Sequence, residues 1–510
     1  MSLPSTFLAP GFFSTIQFAQ GPSTQAAGPR SAIYVVPILS TGTAQVNQPI
    51  QINSESDAIT AGGAGSMAHR TARMHFKVNK ANKLYLLPYP VTSGGDSQSA
   101  DGYFTYVQTA TASGSSTITI CGENIVIPVS TNQTPTQIAL TAVGAINART
   151  YFPLTASANA GKVLLTAKTA GQSQGDGTTG VIRFRVTVQP ATGVIVSATG
   201  SALGLGVGAQ AGIDGTTTEA ANFLTALSSI DSKRFYYVGS TLWDSASLVE
   251  FKNDLTAKAA PLNGNRCVGI TANTGLAALA QATSTSLNYE RLQINCQPNS
   301  EHDVAELTAW VLATRQLQES QDPSFNFNGS RDSNLLPVFN AGDFLSLQNM
   351  SDMITDGVAP IGSDGNGGFL VKSVSTRSKS PNGTVEDTRA AETSRPSVCD
   401  QFVDDAMTIF VNQYTGFKLS ADKLLANGQV DNTFRIPSGV LTPSRLRPLF
   451  VGLLREYENN GWLRDVDNSV LALSVTLDPN VGGRFDVNAP VSVIEWVNQV
   501  DLGVSEVSPN

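Results

Sequence analysis

Glycines, histidines and paired carboxylates are the residues of this chain whose spacing could do chemistry. Gly204, Gly206, Gly208 and Gly212, in GLGLGVGAQAG, could cradle a phosphate. A dinucleotide fingerprint needs a strand before the run, a helix opening within it and an acidic residue about 20 positions later. IDGTTT follows instead, so the run reads as a flexible connection between domains. His69, His75 and His302 are the only histidines, and no HExxH or closely spaced His pair exists to hold a metal. Ser66 in GAGSM lacks the second glycine of a hydrolase nucleophile elbow. Asp465 and Asp467 start like a calcium loop, but Val470 stands where that loop needs glycine. Asp364 and Asn366 read as turn residues. Asp404 with Asp405, and Glu456 with Glu458, fall on expected helices and read as solvated faces. No residue is assigned as catalytic, cofactor-binding or metal-ligating, and no cofactor is expected.

The elements that would have to position any such site come next. At 510 residues the chain has room for about three or four domains. Hydrophobic residues at 41% can build real cores. Charged residues at 14% fall well below the roughly 25% of ordinary soluble chains, so charge does little to keep copies apart. The net charge is −8, with no basic run or stripe, so a nucleic-acid partner is not expected. Cys121, Cys267, Cys296 and Cys399 lie far apart and read as buried thiols in a reducing compartment. The opening MSLPSTFLAPGFF lacks the basic and apolar regions of a signal peptide, and no apolar run reaches the length of a membrane span. The sequons at Asn132, Asn328, Asn349 and Asn382 therefore read as chance.

Residues 1–30 carry Pro4, Pro10, Pro22 and Pro29, with Phe12, Phe13, Ile16 and Phe18 between them. Proline removes backbone donors and extends its predecessor, so this reads as an extended arm that needs a surface for its apolar side chains. Residues 31–95 read as the first part of an α/β core, with strands SAIYVVPIL and KLYLLPYP. Residues 96–212 turn rich in Ser, Thr, Ala and Gly and alternate in TITICGENIVIPV, KVLLTAK, VIRFRVTV and GVIVSATG. That is an inserted β-rich domain, with one helix in PTQIALTAVGAINART.

Residues 213–396 return to strand and helix in alternation: helix AANFLTALSSI, strand RFYYVGS, helix SLVEFKNDLTAKAA, strand RCVGITA, helix TGLAALAQATS, strand YERLQINCQ. Units of this length imply a largely parallel sheet with right-handed crossovers. A long helix over 301–319 follows, with Ser300 as N-cap and Asp303 in its first turn. GGFLVKSVSTRSK reads as a strand. Residues 397–484 form the last part of the core, helical over 397–417 and 443–460, with SVLALSVTL as a strand. Residues 485–510 form a C-terminal arm in which APVSVIEWVNQV reads as strand. The fold class is α/β and α+β, multidomain, with extended arms at both ends.

In order and kind these segments resemble the tail sheath proteins of contractile-tailed bacteriophages, in the branch found in Mu-like phages. LAPGFFSTI resembles the family's N-terminal arm, and DAITAGGAGSMAHRTARMHFKVNKANKLYLLPYP its Gly-Ser turn, helix and strand. CGENIVIPVSTNQTPTQIALTAVGAINART and KVLLTAKTAGQSQGDG resemble its inserted β module. GIDGTTT through NRCVGITANTG, QINCQPNSEHDVAELTAWVLA and DPSFNFN resemble its core domain. VKSVSTRSKSPNGTVEDTR resembles its strand and loop, with SVSTRS where a Thr-Thr pair is expected.

The resemblance implies a homo-oligomer of six-fold rings stacked helically around a tail tube protein, with baseplate and tail terminator proteins as further partners and no membrane insertion. It implies a virion component assembled in the host bacterial cytoplasm, a contractile subunit that drives the tube through the host envelope for genome ejection. It also implies arms that add strands to neighbouring subunits. Phe12, Phe13, Ile16 and Phe18 are the expected contacts of the first arm, and Val491, Val493, Ile494, Trp496 and Val497 those of the second. Two alternatives stay open. One is another virion subunit, of capsid or baseplate. The other is an α/β enzyme with a β-rich insert, which needs a polar site at the C-terminal strand ends; Gly239–Thr241 and Thr271–Asn273 offer no His, Cys or acid there.

Overall fold

The computed structural model describes residues 30–90, 101–168, 186–199, 217–242, 244–338, 341–377, 391–431 and 433–496. The chain enters through β1 (Ala32–Pro37), β2 (Ile50–Ile52), α1 (Glu55–Gly62), α2 (Met67–Val78) and β3 (Leu84–Tyr89). Ser66 is the N-cap of α2, its hydroxyl accepting from the His69 amide, which explains the serine in GAGSM.

An insert follows: β4 (Asp101–Tyr106), β5 (Gly114–Ile120), β6 (Glu123–Val129), α3 (Pro135–Asn147), β7 (Leu154–Asn159), β8 (Lys162–Ala167), β9 (Val186–Gln189) and β10 (Val196–Thr199). It makes one sheet in the order β10-β4-β8-β7 and another in the order β6-β5-β9. α3 starts where its residues dictate. Thr134 and Gln137 form a reciprocal capping box, and Pro135 opens the first turn. Phe104, Ile118, Ile125, Ile138 and Val163 belong to a core that draws only on residues of the insert.

The chain then runs through α4 (Thr217–Ser228), β11 (Tyr237–Ser240), α5 (Ser245–Lys258), β12 (Val268–Asn273), α6 (Ala277–Leu287), β13 (Leu292–Cys296), α7 (Val304–Glu319), β14 (Ser330–Arg331), α8 (Leu347–Thr355), β15 (Val358–Asp364) and β16 (Gly367–Leu370). Nine strands form one sheet in the order β14-β16-β15-β13-β12-β11-β1-β3-β2. The six from β15 to β3 are parallel, and the outer three pair antiparallel. β1, β12 and β13 are buried along their whole length, as a parallel sheet covered on both faces requires. Alternation does the sorting. Ala32, Tyr34 and Val36 face a cluster with α2 and α7, while Ile33 and Val35 face one with α4 and α5.

The last part comprises α9 (Ser394–Tyr414), β17 (Lys418–Leu419), β18 (Val440–Leu441), α10 (Pro443–Asn459), α11 (Val466–Ala472), β19 (Ser474–Leu477) and β20 (Phe485–Asn488). It has its own core, including Phe402, Phe450, Leu454, Tyr457 and Trp462.

Four expectations need correction. APVSVIEWVNQV is not a strand over residues 489–496, where only Val493 makes an isolated bridge, to Leu463. α7 begins at Val304 with Asp303 as N-cap; the Ser300 hydroxyl instead accepts from the His302 amide. The strand expected across GGFLVKSVSTRSK ends at Leu370. In SVLALSVTL only Ser474–Leu477 is strand, because the residues before it are helical. Val466 and Ser469 are buried and Val470 packs against the same cluster, a helical spacing that a short apolar run can satisfy as well as a strand spacing. Among the described residues no helix is long and apolar enough to cross a membrane.

Candidate inter-subunit site

The chemistry-bearing residues come out scattered. The glycine run 204–212 lies outside the described residues. His69 is buried, its Nδ1 accepting from the Gly65 amide at 2.9 Å and its Nε2 lying 3.0 Å from Glu55. His75 Nδ1 meets the Tyr34 hydroxyl at 2.9 Å, and burial pushes this imidazole down to about 3. His302 accepts the Leu336 amide at Nε2, so Nδ1 carries the proton it shares with Glu306 at 2.9 Å. Among the described residues no three His, Cys, Asp or Glu side chains gather as a metal site would need. All four cysteines are buried and free.

Two polar seams account for most of the buried charge. One lies at the C-terminal ends of the parallel strands. There Arg70 of α2 sits between Asp303, at 2.5 Å, and Glu306, at 3.0 Å, on the first turn of α7. Burial opposes ionisation of Glu306, but Arg70 and the hydrogen bond from His302 outweigh it and hold the carboxyl at about 2. The insert docks on this seam. Arg73 reaches Glu123 at 2.7 Å and lies over the Tyr151 ring at 4.1 Å, Tyr151 donates to Glu123 at 2.5 Å, and Arg70 reaches the Tyr151 carbonyl at 3.4 Å. The β5–β6 turn presses closely on the core: at Gly122, with φ +74, an added Cβ would come within 2.1 Å of Leu336 Cδ1.

The second seam lies at the N-terminal ends of the strands, against the first half of α9. Arg291 grips Asp400 with two bonds of 2.7 and 2.9 Å. Arg266 bridges Asp400 at 3.1 Å and Asp404 at 3.0 Å, and Arg234 meets Asp404 at 2.6 Å. Beside them Glu319 takes up Arg30, Arg315, Tyr237 and Ser397. Burial raises the Asp400 carboxyl, yet Arg291, with Arg266 and Arg234, outweighs it and brings it below the ordinary range. Asp404 and Asp405 are therefore not a solvated face: Asp404 belongs to this seam, and Asp405 accepts from Tyr457 at 2.7 Å and Gln401 at 2.8 Å. The sequence carried a signal for this seam that its reading missed. An arginine stands before each of three successive strands, in RFYYV, RCVGI and RLQIN, and two aspartates stand four apart on a helix.

Of the expected arm contacts, Phe12, Phe13, Ile16, Phe18 and Val497 lie outside the described residues. The other four run along their own chain. Val491 packs on the C-terminal core, Val493 is buried and bridges Leu463, Ile494 is half-buried, and the Trp496 indole donates to the Ser324 carbonyl at 2.9 Å. Immediately before them β19 and β20 form a two-stranded antiparallel sheet of four residue pairs. Among the described residues no third strand joins it. Leu471, next to this sheet, is 81% exposed.

No family model matches the chain, and no curated protein matches it. Among solved structures it is similar to a sheath tail protein from Desulfitobacterium hafniense, with 13% identity, 91% of this chain and 93% of that one covered, and a TM-score of 0.46. It is also similar to a sheath tail protein from Listeria innocua, with 12% identity, coverage of 92% and 93%, and a TM-score of 0.48. A chain of the anti-feeding prophage baseplate is a third, with 8% identity, coverage of 99% and 100%, and a TM-score of 0.47. Likeness at this level carries no argument about function.

Proposed function

We propose that this chain is the structural subunit of a contractile phage tail sheath of the Mu-like branch, and not an enzyme. The sequence resemblance along the whole chain supports the reading. The observation that carries it is the β19–β20 sheet. A two-stranded sheet is marginal alone, and strands from neighbouring subunits can join its edges through backbone hydrogen bonds. The low charge content, 14%, fits a surface meant for contact with copies of itself.

In this reading the subunits form six-fold rings that stack around a tail tube, because a heterologous contact that does not close generates a helical polymer. The arms supply the added strands: residues 1–30 and, within the C-terminal arm 485–510, the part beyond β20, since β20 itself pairs with β19 of the same chain. Contraction needs no nucleotide if the extended polymer is a kinetically trapped, higher-energy packing, and it proceeds by rigid-body rotation of subunits about their arms. The contracting sheath drives the tube through the host envelope. Baseplate and terminator proteins hold its two ends, and it is part of the virion assembled in the host cytoplasm.

Negative-stain electron microscopy of the purified chain, across salt and concentration, tests this. Hollow tubes or stacked six-fold rings are expected, and deletion of residues 1–20 is expected to abolish them while leaving a folded monomer. Shells or flat plates would point to another virion subunit, and unchanged tubes from the deletion would refute the arm assignment.

A further inference from the structure

The chain does not leave the molecule after β20. Residues 489–496 cross from the C-terminal core to the main core, and three separate parts of the chain hold them. Leu463 pairs with Val493 in an antiparallel bridge, and the Arg464 amide donates to the Ser492 carbonyl at 3.4 Å. Glu495 lies between Arg464 at 3.5 Å and Arg395, at the base of α9, at 3.0 Å. Trp496 donates to Ser324, in the loop after α7, and lines a cleft with Phe325, Phe327, Lys372 and Glu392.

We propose that Glu495 and Trp496 are positioning residues that fasten this segment to its own chain, and that it stays in place when subunits join. Exchange between subunits then begins only after Trp496. The inference rests on the sheath reading and narrows its C-terminal arm. Its physical ground is reach. Val493 lies five residues beyond Asn488, the end of β20, and that stretch can span at most about 18 Å. A compact chain of this length has a radius of gyration of about 24 Å, so a neighbour would have to place its own Leu463 almost against β20 to take Val493. It would also have to present an Arg395 and a Ser324 in the same relative arrangement. The cis segment already has all three.

A disulfide can lock the segment. Residues paired across an antiparallel bridge have Cα atoms about 4.5–5.5 Å apart, within the range a disulfide spans. The four native thiols are buried and leave the L463C/V493C pair free to close. The oxidised double variant is expected to form the same polymers as its reduced form and as the native chain, to within twofold in pelleted fraction. Polymers from the reduced form alone would overturn the proposal. If the native chain itself gives no polymer, the sheath reading fails, and the fastening is read separately by hydrogen exchange on the monomer. There W496A is expected to speed exchange of the Arg464 amide at least tenfold. Exchange unchanged from the native chain would show that Trp496 fastens nothing.

Discussion

The insert and the C-terminal part are both appended to one parallel sheet, at opposite ends of its strands, and they are joined in different ways. The insert closes its own core and touches α2 and the loop at Leu336 through a few side chains, of which Arg73 and Glu123 remain partly exposed. The C-terminal part also has its own core, but its first helix is sunk into the main body by three arginines and two aspartates, with Glu319 and its four partners beside them. A joint of the first kind can be lost or exchanged with little effect on the sheet. A joint of the second kind passes displacement of one part to the other, since breaking any one pair strands a buried charge.

The sharpest way to break this contrast is Arg291→Ala. It leaves Asp400 buried with Arg266 as its remaining close partner, and the expected loss is about 3–5 kcal/mol of stability by urea denaturation. A loss under 1 kcal/mol would mean that the two joints do not differ. Excision of the insert comes next. Asn222 of α4 donates to the Pro90 carbonyl at 3.2 Å, so the chain leaves the core and re-enters it at neighbouring points. Replacing residues 96–212 with a short Gly/Ser linker is expected to give a folded chain that lacks one thermal transition and keeps the rest. Global unfolding of that chain would show the insert to be part of the core.

Why the sequence disclosed one joint better than the other follows from the same residues. β1 is a run of consecutive apolar residues, and the insert announces itself by a change in composition, so both can be read locally. The seam under α9 cannot, because Arg291 and Asp400 are 109 positions apart and neither belongs to a recognisable motif. The polar cluster at α7 escaped for a related reason. The C-terminal ends of β11 and β12 carry no acid, but Asp303 and Glu306 sit just beyond β13 and face Arg70 from a helix 233 positions away. The helix over Val466–Ala472 is not legible in the sequence because a short apolar run fits either period.

Acid should weaken the seam between α2 and α7 on which the insert docks. The folded Glu306 carboxyl sits at about 2, below its ordinary 4.5, so its contribution is fully present above about 4.5 and is lost as pH falls from there toward 2. Glu306→Gln is expected to flatten the fall of stability over that window and to leave the curve above pH 5 parallel to that of the native chain. An unaltered acid limb would mean that the carboxyl is not held by Arg70 in solution.

The smallest expected effect is at the insert's own ion pair. Arg73→Ala removes a 2.7 Å contact with Glu123 and a guanidinium stacked 4.1 Å over Tyr151, both reached by solvent. Screened pairs of this kind contribute about 1 kcal/mol or less, and so does a cation over a ring that solvent reaches. The loss should appear in the insert's own transition and be reduced by added salt, because the Debye length shrinks to about 3 Å at 1 M. A loss as large as that of Arg291→Ala, or one indifferent to salt, would mean that the insert is joined to the core as firmly as α9 is.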